Sequence, residues 1–200
     1  KDKDKDKDKD KDKDKDKDVL FDGDDEIFKK YVIESKFYFE YGVGKSTKWV
    51  LENTKSNIIA VDSDKKWIDR VCNKNSFNER IETIWVDLGD LTDWGRPVSY
   101  NMRDNFITYI NAVWGFKKKA DVILIDGRFR VACFLYSLLN AKKGSLIFFD
   151  DYNNRPWYHI VEEVLPIYKK CGRQAVFRVT ETFNKRLARD LFQKFLFVFD

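Results

Sequence analysis

The chain is poor in the residues from which metal centres and disulfide frameworks are built. Its 200 residues include three cysteines and a single histidine, His159. Cys72, Cys133 and Cys171 are odd in number and far apart in sequence, and no C-x-x-C pair occurs. This pattern excludes a disulfide framework and a Cys/His zinc site. We expect three reduced, mostly buried thiols, as in proteins of the cytoplasm.

Long apolar runs and blocks of like charge are also missing. No stretch reaches the roughly 18 apolar residues needed to cross a bilayer, and no secretory signal peptide is recognisable. The net charge is only +4, from 38 basic and 34 acidic residues, and no block of five or more Lys or Arg occurs. The composition therefore predicts no membrane span and no nucleic-acid partner. We expect a cytoplasmic location.

The first 18 residues differ from the rest of the chain. They are nine Lys-Asp pairs, which contain nothing that can form a core, and we interpret them as a charged linker. The only methionine is Met102, so the chain has no initiator and we expect a fragment of a longer polypeptide fused to other domains. Residues 19–200 are enough for one domain with a sizeable core.

The most informative stretch begins at the aromatic run Phe37–Tyr41. A turn with Gly42 and Gly44 follows, then an amphipathic segment, then the apolar run 57–62, which ends in Asp62. This order predicts a β-loop-α-β unit, whose helix N-terminus and glycine turn face a ligand. An acid at the end of the second strand is placed to accept hydrogen bonds from ribose hydroxyls. The stretch therefore predicts a nucleoside-binding site.

The remaining chain continues the alternation of strands and helices. The predicted strands are 37–41, 57–62, 81–86, 120–126, 145–150, 174–180 and 191–200. The predicted helices are 22–34, capped by Asp22 or Asp24, and 46–53, 64–75, 101–114, 128–141 and 156–170. Alternation followed by two final strands predicts an α/β fold with a parallel sheet and one antiparallel member.

Two common nucleotide motifs fit the glycine turn poorly. A phosphate loop ending in Gly44-Lys45-Ser46 requires glycine where Phe39 stands, and a dinucleotide fingerprint requires a third glycine where Thr47 stands. The pattern Glu40-x-Gly42-x-Gly44-x-Ser46-Thr47 instead resembles motif I of class I S-adenosylmethionine-dependent methyltransferases.

That resemblance covers residues 19–200 and carries several expectations. It implies a Rossmann-like, seven-stranded, mostly parallel sheet of order 3-2-1-4-5-7-6 with one antiparallel strand and helices on both faces. It also implies S-adenosylmethionine as cofactor and S-adenosylhomocysteine as product. The implied cofactor-binding residues are Glu40, Tyr41, Gly42, Gly44, Ser46, Thr47, Asp62, Ser63, Asp87 and Asp126. Asp87 or Asp90 would reach the adenine amino group; Trp67 would flank the adenine or pack in the core.

Carboxylates also follow the fourth and fifth predicted strands. Asp126, Asp150 and Asp151 would meet at the carboxyl edge of the sheet, where three carboxylates can hold Mg²⁺ or Mn²⁺. The arrangement resembles macrocin-type sugar O-methyltransferases, which bind magnesium at such D-G and D-D pairs. Arg128 stands where those enzymes have a further acid that acts as base. The replacement base is then His159, with Asp126 and Asp151 as competitors. Arg128, Arg130 and Arg155 near the same rim would orient substrate oxygens or pair with the acids.

The substrate is expected at the mouth of this site. The residues predicted to contact it are Arg155, Tyr152, Trp157 and Tyr158. Aromatic faces suit the apolar side of a sugar ring. We therefore predict methyl transfer to a sugar hydroxyl, such as that of a terminal deoxyhexose like rhamnose in a glycan. The chain also resembles the carboxy-terminal methyltransferase domain of large chlorovirus proteins that build glycans, which would place it in the host-cell cytoplasm.

Three other functions remain open at this point. Within the same class, the acceptor could be a phenol or another small natural product. From other classes, the domain could be a P-loop nucleotide hydrolase, or a catalytically inactive scaffold that keeps the cofactor-binding fold. The sequence leaves the oligomeric state, the position methylated and the metal requirement undetermined.

Overall fold

The computed structural model describes residues 18–72 and 79–200. All but the last residue of the predicted Lys-Asp linker lies outside these ranges, as does the predicted end of the helix 64–75. No helix in the described ranges combines the length and apolar character needed to span a bilayer.

One mixed sheet of seven strands organises the described chain. Its order is β3-β2-β1-β4-β5-β7-β6; β7 runs antiparallel to both of its neighbours and the other pairings are parallel. The strands are Phe37–Tyr41 (β1), Asn57–Asp62 (β2), Ile81–Trp85 (β3), Val122–Ile125 (β4), Leu146–Phe149 (β5), Lys169–Cys171 (β6) and Gln174–Arg178 (β7). The predicted order and the single reversed strand are confirmed.

Helices cover both faces of the sheet. They are Glu26–Ile33 (α1), Lys45–Asn53 (α2), Lys65–Cys72 (α3), Phe106–Asn111 (α4), Arg130–Asn140 (α5) and Lys185–Phe195 (α6). Helices α1 to α3 pack into one apolar cluster with one face of the sheet, and α4 to α6 into a second cluster with the other face. The central strands β4 and β5 are buried on both faces, as their continuous apolar sequences require.

Two predicted elements are wrong, and so are the start and the caps of a third. The predicted strand 191–200 is mainly α6, which Asn184 caps by accepting a hydrogen bond from the Leu187 N–H. The buried residues Ala188, Leu191 and Phe192 recur at spacings of three and four, which is the period of a helix. In place of the predicted helix 156–170 there is a 3-10 helix that ends at Glu163, and residues 169 and 170 belong to β6.

The third correction concerns the start of the domain. Helix α1 begins at Glu26 and its N-cap residue is Asp25, which makes no side-chain capping bond. Asp22 and Asp24 instead bind Arg173, through its guanidinium and its backbone N–H respectively. The two acids that the sequence suggested as caps therefore join the amino terminus of the domain to the hairpin β6-β7.

Candidate active site

A cleft of about 980 Å³ lies at the carboxyl ends of β1, β2, β4 and β5. Twelve of the predicted site residues line it: Gly42, Gly44, Ser46, Asp62, Ser63, Asp126, Arg128, Asp150, Asp151, Arg155, Trp157 and Tyr158. The parallel order of these strands explains the convergence, because strand ends in parallel register share one edge.

The turn between β1 and α2 spans only residues 42–44. Gly42 has φ +94°, and a Cβ there would lie 2.4 Å from the Asp126 carbonyl oxygen, so this close approach of two strand ends requires glycine. A Cβ on Gly44 would meet nothing within 4 Å. Phe39 lies within β1, paired with Ile59 and Ile123, so no loop exists to wrap a phosphate.

Glu40 supports this turn from beneath. Its side chain is fully buried and accepts hydrogen bonds from the hydroxyls of Ser46 and Thr47 in the first turn of α2. The Thr47 hydroxyl also accepts the Gly44 N–H. Burial raises the pKa of Glu40 to about 8. Since it does not reach the cleft, Glu40 positions the turn instead of touching a ligand.

Asp62 connects the glycine turn to the end of β2. Its two carboxylate oxygens accept the Val43 N–H at 2.7 Å and the Asp64 N–H at 2.7 Å. Burial raises its pKa to about 6, although these hydrogen bonds oppose the rise. Each oxygen keeps a second lone pair for a ligand hydroxyl. The Ser63 hydroxyl donates to the Gly95 carbonyl at 2.6 Å and so holds the loop after β3 against the cleft.

The three predicted metal ligands meet at the ends of β4 and β5. One oxygen from each of Asp126, Asp150 and Asp151 lies within 4.8 Å of the others. Burial and the neighbouring Asp150 raise the pKa of Asp126 to about 8. The nearby Arg130 opposes that rise, and so does the exposure of 31 % of the Asp126 side chain.

Three arginines neutralise this acidic cluster. Arg130 pairs with Asp126 at 3.3 Å, Arg155 pairs with Asp151 at 3.0 Å, and Arg173 pairs with Asp150 at 2.9 Å. The buried Asp150 also accepts from Arg173 Nε and from the Gln174 amide, which occupies both of its oxygens. As folded, the charges of the three acids are matched by arginines and both oxygens of Asp150 are occupied, so a divalent cation would have to displace some of these arginines, and the metal site stays a prediction.

Six other predicted site residues do not line the cleft. Glu40 and Thr47 lie beneath the turn, and Tyr41 is buried with its hydroxyl donating to the Ile110 carbonyl. Asp87 is exposed and accepts the Gly89 N–H, as a turn residue does. Tyr152 is fully buried and donates to Glu162, and His159 packs on its ring with Nε2 2.9 Å from the Tyr152 carbonyl oxygen.

Sequence reasoning missed several contributors to the cleft, among them Arg173 and Trp94. Arg173 lies in the β6-β7 hairpin and reaches Asp150 across the sheet, and no local pattern marks it. Trp94 is 77 % exposed and its indole lies nearly parallel to that of Trp67, with ring centroids 6.3 Å apart. Both indoles line the cleft beyond Asp62. The irregular composition of 91–99 was the one available signal for such a loop.

Backbone strain concentrates at the same place. Asp151 and Trp94, which line the cleft, and Phe129, which precedes α5, have φ of +55°, +62° and +55°. Non-glycine residues rarely adopt this left-handed region, and such residues cluster at functional sites. The fold and the cleft together have the organisation of a class I methyltransferase.

Comparisons with known proteins agree with this class. No protein-family model and no curated protein matches the sequence. Among solved structures, a methyltransferase-like protein from Silicibacter pomeroyi DSS-3 is 31 % identical, covers 86 % of this chain and 93 % of its own, and superposes with a TM-score of 0.76. The N-methyltransferase NodS of Bradyrhizobium japonicum WM9, crystallised with S-adenosylhomocysteine, has the same fold at 14 % identity and a TM-score of 0.51, over 82 % of this chain and 90 % of its own.

The similarity to the Silicibacter protein extends over nearly the whole of both chains. The chain therefore belongs to the family of methyltransferase-like proteins with the class I methyltransferase fold.

Proposed function

We propose that the cleft binds S-adenosylmethionine with its methionine part against the turn 42–44 and its ribose on Asp62. The observation that carries this proposal is the open space above Gly44 beside a buried carboxylate that is anchored to the same turn. Trp67 and Trp94 offer an apolar wall for the adenine within the cleft, which the exposed Asp87 does not line. A cofactor in this position would present the electrophilic methyl group to the ends of β4 and β5.

We infer that the reaction is methyl transfer to a hydroxyl group. Asp126 is placed to take the proton of the acceptor, because its raised pKa makes it a base close to neutrality and its side chain lines the cleft. Asp151 is the competing base, but three arginines already bind it. Arg130 holds Asp126 and Asp151 in place through its ion pairs and through its hydrogen bonds to the Gly127 and Asp150 carbonyls.

The acceptor we favour is a sugar. Trp157 is 58 % exposed at the mouth of the cleft, next to Tyr158 and Arg155, and an aromatic face beside polar side chains suits a sugar ring. A terminal deoxyhexose of a glycan remains the specific candidate, and a small phenol is the alternative. Fusion to other glycan-building domains, a chlorovirus-like origin and a cytoplasmic location remain predictions.

Calorimetric binding tests the cofactor proposal directly. S-adenosylhomocysteine should bind and ATP should not, and Asp62→Ala should weaken S-adenosylhomocysteine at least tenfold while the exposed control Asp69→Ala leaves it unchanged. Binding of ATP but not of S-adenosylhomocysteine would contradict the proposal and favour a nucleotide hydrolase.

Turnover then separates an enzyme from a scaffold and tests the metal prediction. Mass spectrometry of candidate glycans and phenols, incubated with the protein and S-adenosylmethionine, should show a gain of one methyl group on a sugar hydroxyl. We expect Asp126→Asn to bind S-adenosylhomocysteine but to lose turnover. We expect a chelator to have no effect, because arginines already neutralise the acids; a requirement for Mg²⁺ or Mn²⁺ would show that these pairs open during the reaction.

A further inference from the structure

We propose that the acceptor carries an anionic group, of the carboxylate or phosphate class, which binds the guanidinium of Arg128. This inference rests on the proposed function, because it concerns the acceptor side of the same cleft. The argument depends on which cations of the cleft already have partners.

Arg128 differs from the other three arginines around the acids. Arg130, Arg155 and Arg173 each form an ion pair with an aspartate. The Arg128 guanidinium forms no ion pair and no hydrogen bond with any described residue, and its Nε is buried without a partner. A partly buried cation without a partner is costly, so its presence at the wall of a cleft points to an anion that arrives with a ligand.

Hydrogen bonds to neighbouring side chains fix the backbone of Arg128 at the wall of the cleft. Its backbone N–H donates to the Tyr109 hydroxyl at 3.1 Å, and its carbonyl oxygen accepts from the Cys133 thiol at 3.3 Å. Burial and the neighbouring Arg130 lower the pKa of Arg128, although the group stays charged. A bound anion would stabilise the charged guanidinium and so raise the pKa of Arg128 again.

The pairing of the arginines around the site favours an anion over a neutral acceptor. Arg130, Arg155 and Arg173 each bind an aspartate directly, whereas the Arg128 guanidinium contacts no carboxylate among the described residues. The planar fork of a guanidinium matches the two oxygens of a carboxylate or phosphate. A sugar acid, or a sugar that bears a phosphate, has this chemistry together with a hydroxyl to be methylated.

The test uses the full chain saturated with S-adenosylhomocysteine. Acetate and inorganic phosphate, added at constant ionic strength against chloride, serve as probes that do not depend on the shape of the acceptor; glucuronate and methyl glucoside form a matched acid and neutral pair. We expect acetate, phosphate and glucuronate to raise the melting temperature of the wild type and of the exposed control Arg189→Gln. We expect Arg128→Gln to lose most of this shift, with at least a tenfold weaker apparent affinity for glucuronate, and Arg128→Lys to fall between the two.

Three results would overturn the inference. The first is an equal response of all variants to the anions, and the second is no preference of the wild type for glucuronate over methyl glucoside. The third is that Arg128→Gln loses affinity for S-adenosylhomocysteine but keeps its affinity for 5′-methylthioadenosine. Because 5′-methylthioadenosine lacks the amino-acid carboxylate, this result would mean that Arg128 binds the cofactor. If the wild type bound no S-adenosylhomocysteine at all, the proposed function itself would fail. Removal of an unpaired cation should leave the ligand-free protein at least as stable as the wild type, so Arg128→Gln should fold.

Discussion

The two glycines of the turn 42–44 allow a matched test of how this site is built. In Gly42→Ala the new Cβ would lie 2.4 Å from the Asp126 carbonyl oxygen and 2.8 Å from its carbon, and φ would stay at +94°. The left-handed backbone costs a non-glycine residue roughly 1–2 kcal/mol. Overpacking against backbone that cannot rotate away adds about 1–3 kcal/mol. We therefore expect Gly42→Ala to lower the free energy of unfolding by about 2–5 kcal/mol.

Gly44→Ala is the control at the same turn. Its φ of 179° is extended backbone that alanine adopts, and its Cβ would meet no atom within 4 Å. We expect its free energy of unfolding to stay within about 0.5 kcal/mol of the wild type. Its Cβ would nevertheless stand in the space proposed for the cofactor, so its affinity for S-adenosylhomocysteine should fall.

Urea unfolding of the ligand-free proteins and calorimetric titration with S-adenosylhomocysteine measure both effects. For a domain of this size, a loss of about 3 kcal/mol corresponds to a melting temperature about 6–12 °C lower. Wild-type stability in Gly42→Ala would refute the close approach of the two strand ends. Unchanged affinity in Gly44→Ala would show that the cofactor does not lie against this turn.

Three further predictions concern the charged residues beneath and around the cleft. Because the folded-state pKa of Glu40 is about 8, above its ordinary value of 4.5, the folded protein holds an extra proton between these pH values. Glu40 therefore lowers stability by up to about 1.4 kcal/mol per pH unit as the pH rises through this window, and Glu40→Gln should remove that part of the slope in urea titrations; an unchanged slope would contradict it. If Asp126 is the base, kcat/KM should rise about tenfold per pH unit below a pKa of about 8 and level off above it, and a flat profile from pH 6 to 9 would exclude Asp126. Arg173→Gln should destabilise the protein by about 2–4 kcal/mol, because it leaves Asp150 buried without its ion pair while the 26 % exposure of Arg173 moderates the loss; urea unfolding at neutral pH measures the difference, and wild-type stability would contradict it.

Local patterns predicted most of the strands and the turn at their edge. The apolar runs before Gly42, Asp62, Asp126 and Asp150 contain enough consecutive buried residues to specify strands without help from the rest of the chain. Parallel strands joined by helices place their carboxyl ends on one edge, so the lining of one cleft by Asp62, Asp126 and Asp150 could be predicted as well. The end of the chain was harder, because 191–200 is aromatic enough to suggest a strand although its burial has the period of a helix.

The sequence by itself determined the α/β class, the glycine turn and the row of acids, since each depends on residues close to one another along the chain. Two of the ion pairs that neutralise the acids, Arg130 with Asp126 and Arg155 with Asp151, join residues four positions apart, whereas only the tertiary structure decided that Arg173 binds Asp150, 23 positions away. The tertiary structure also decided that Tyr152 and His159 pack together away from the cleft, and that no described residue pairs with the Arg128 guanidinium. Whether a charged side chain has a partner on another element depends on which residues, distant along the chain, the fold brings next to it. A local sequence pattern does not give those positions.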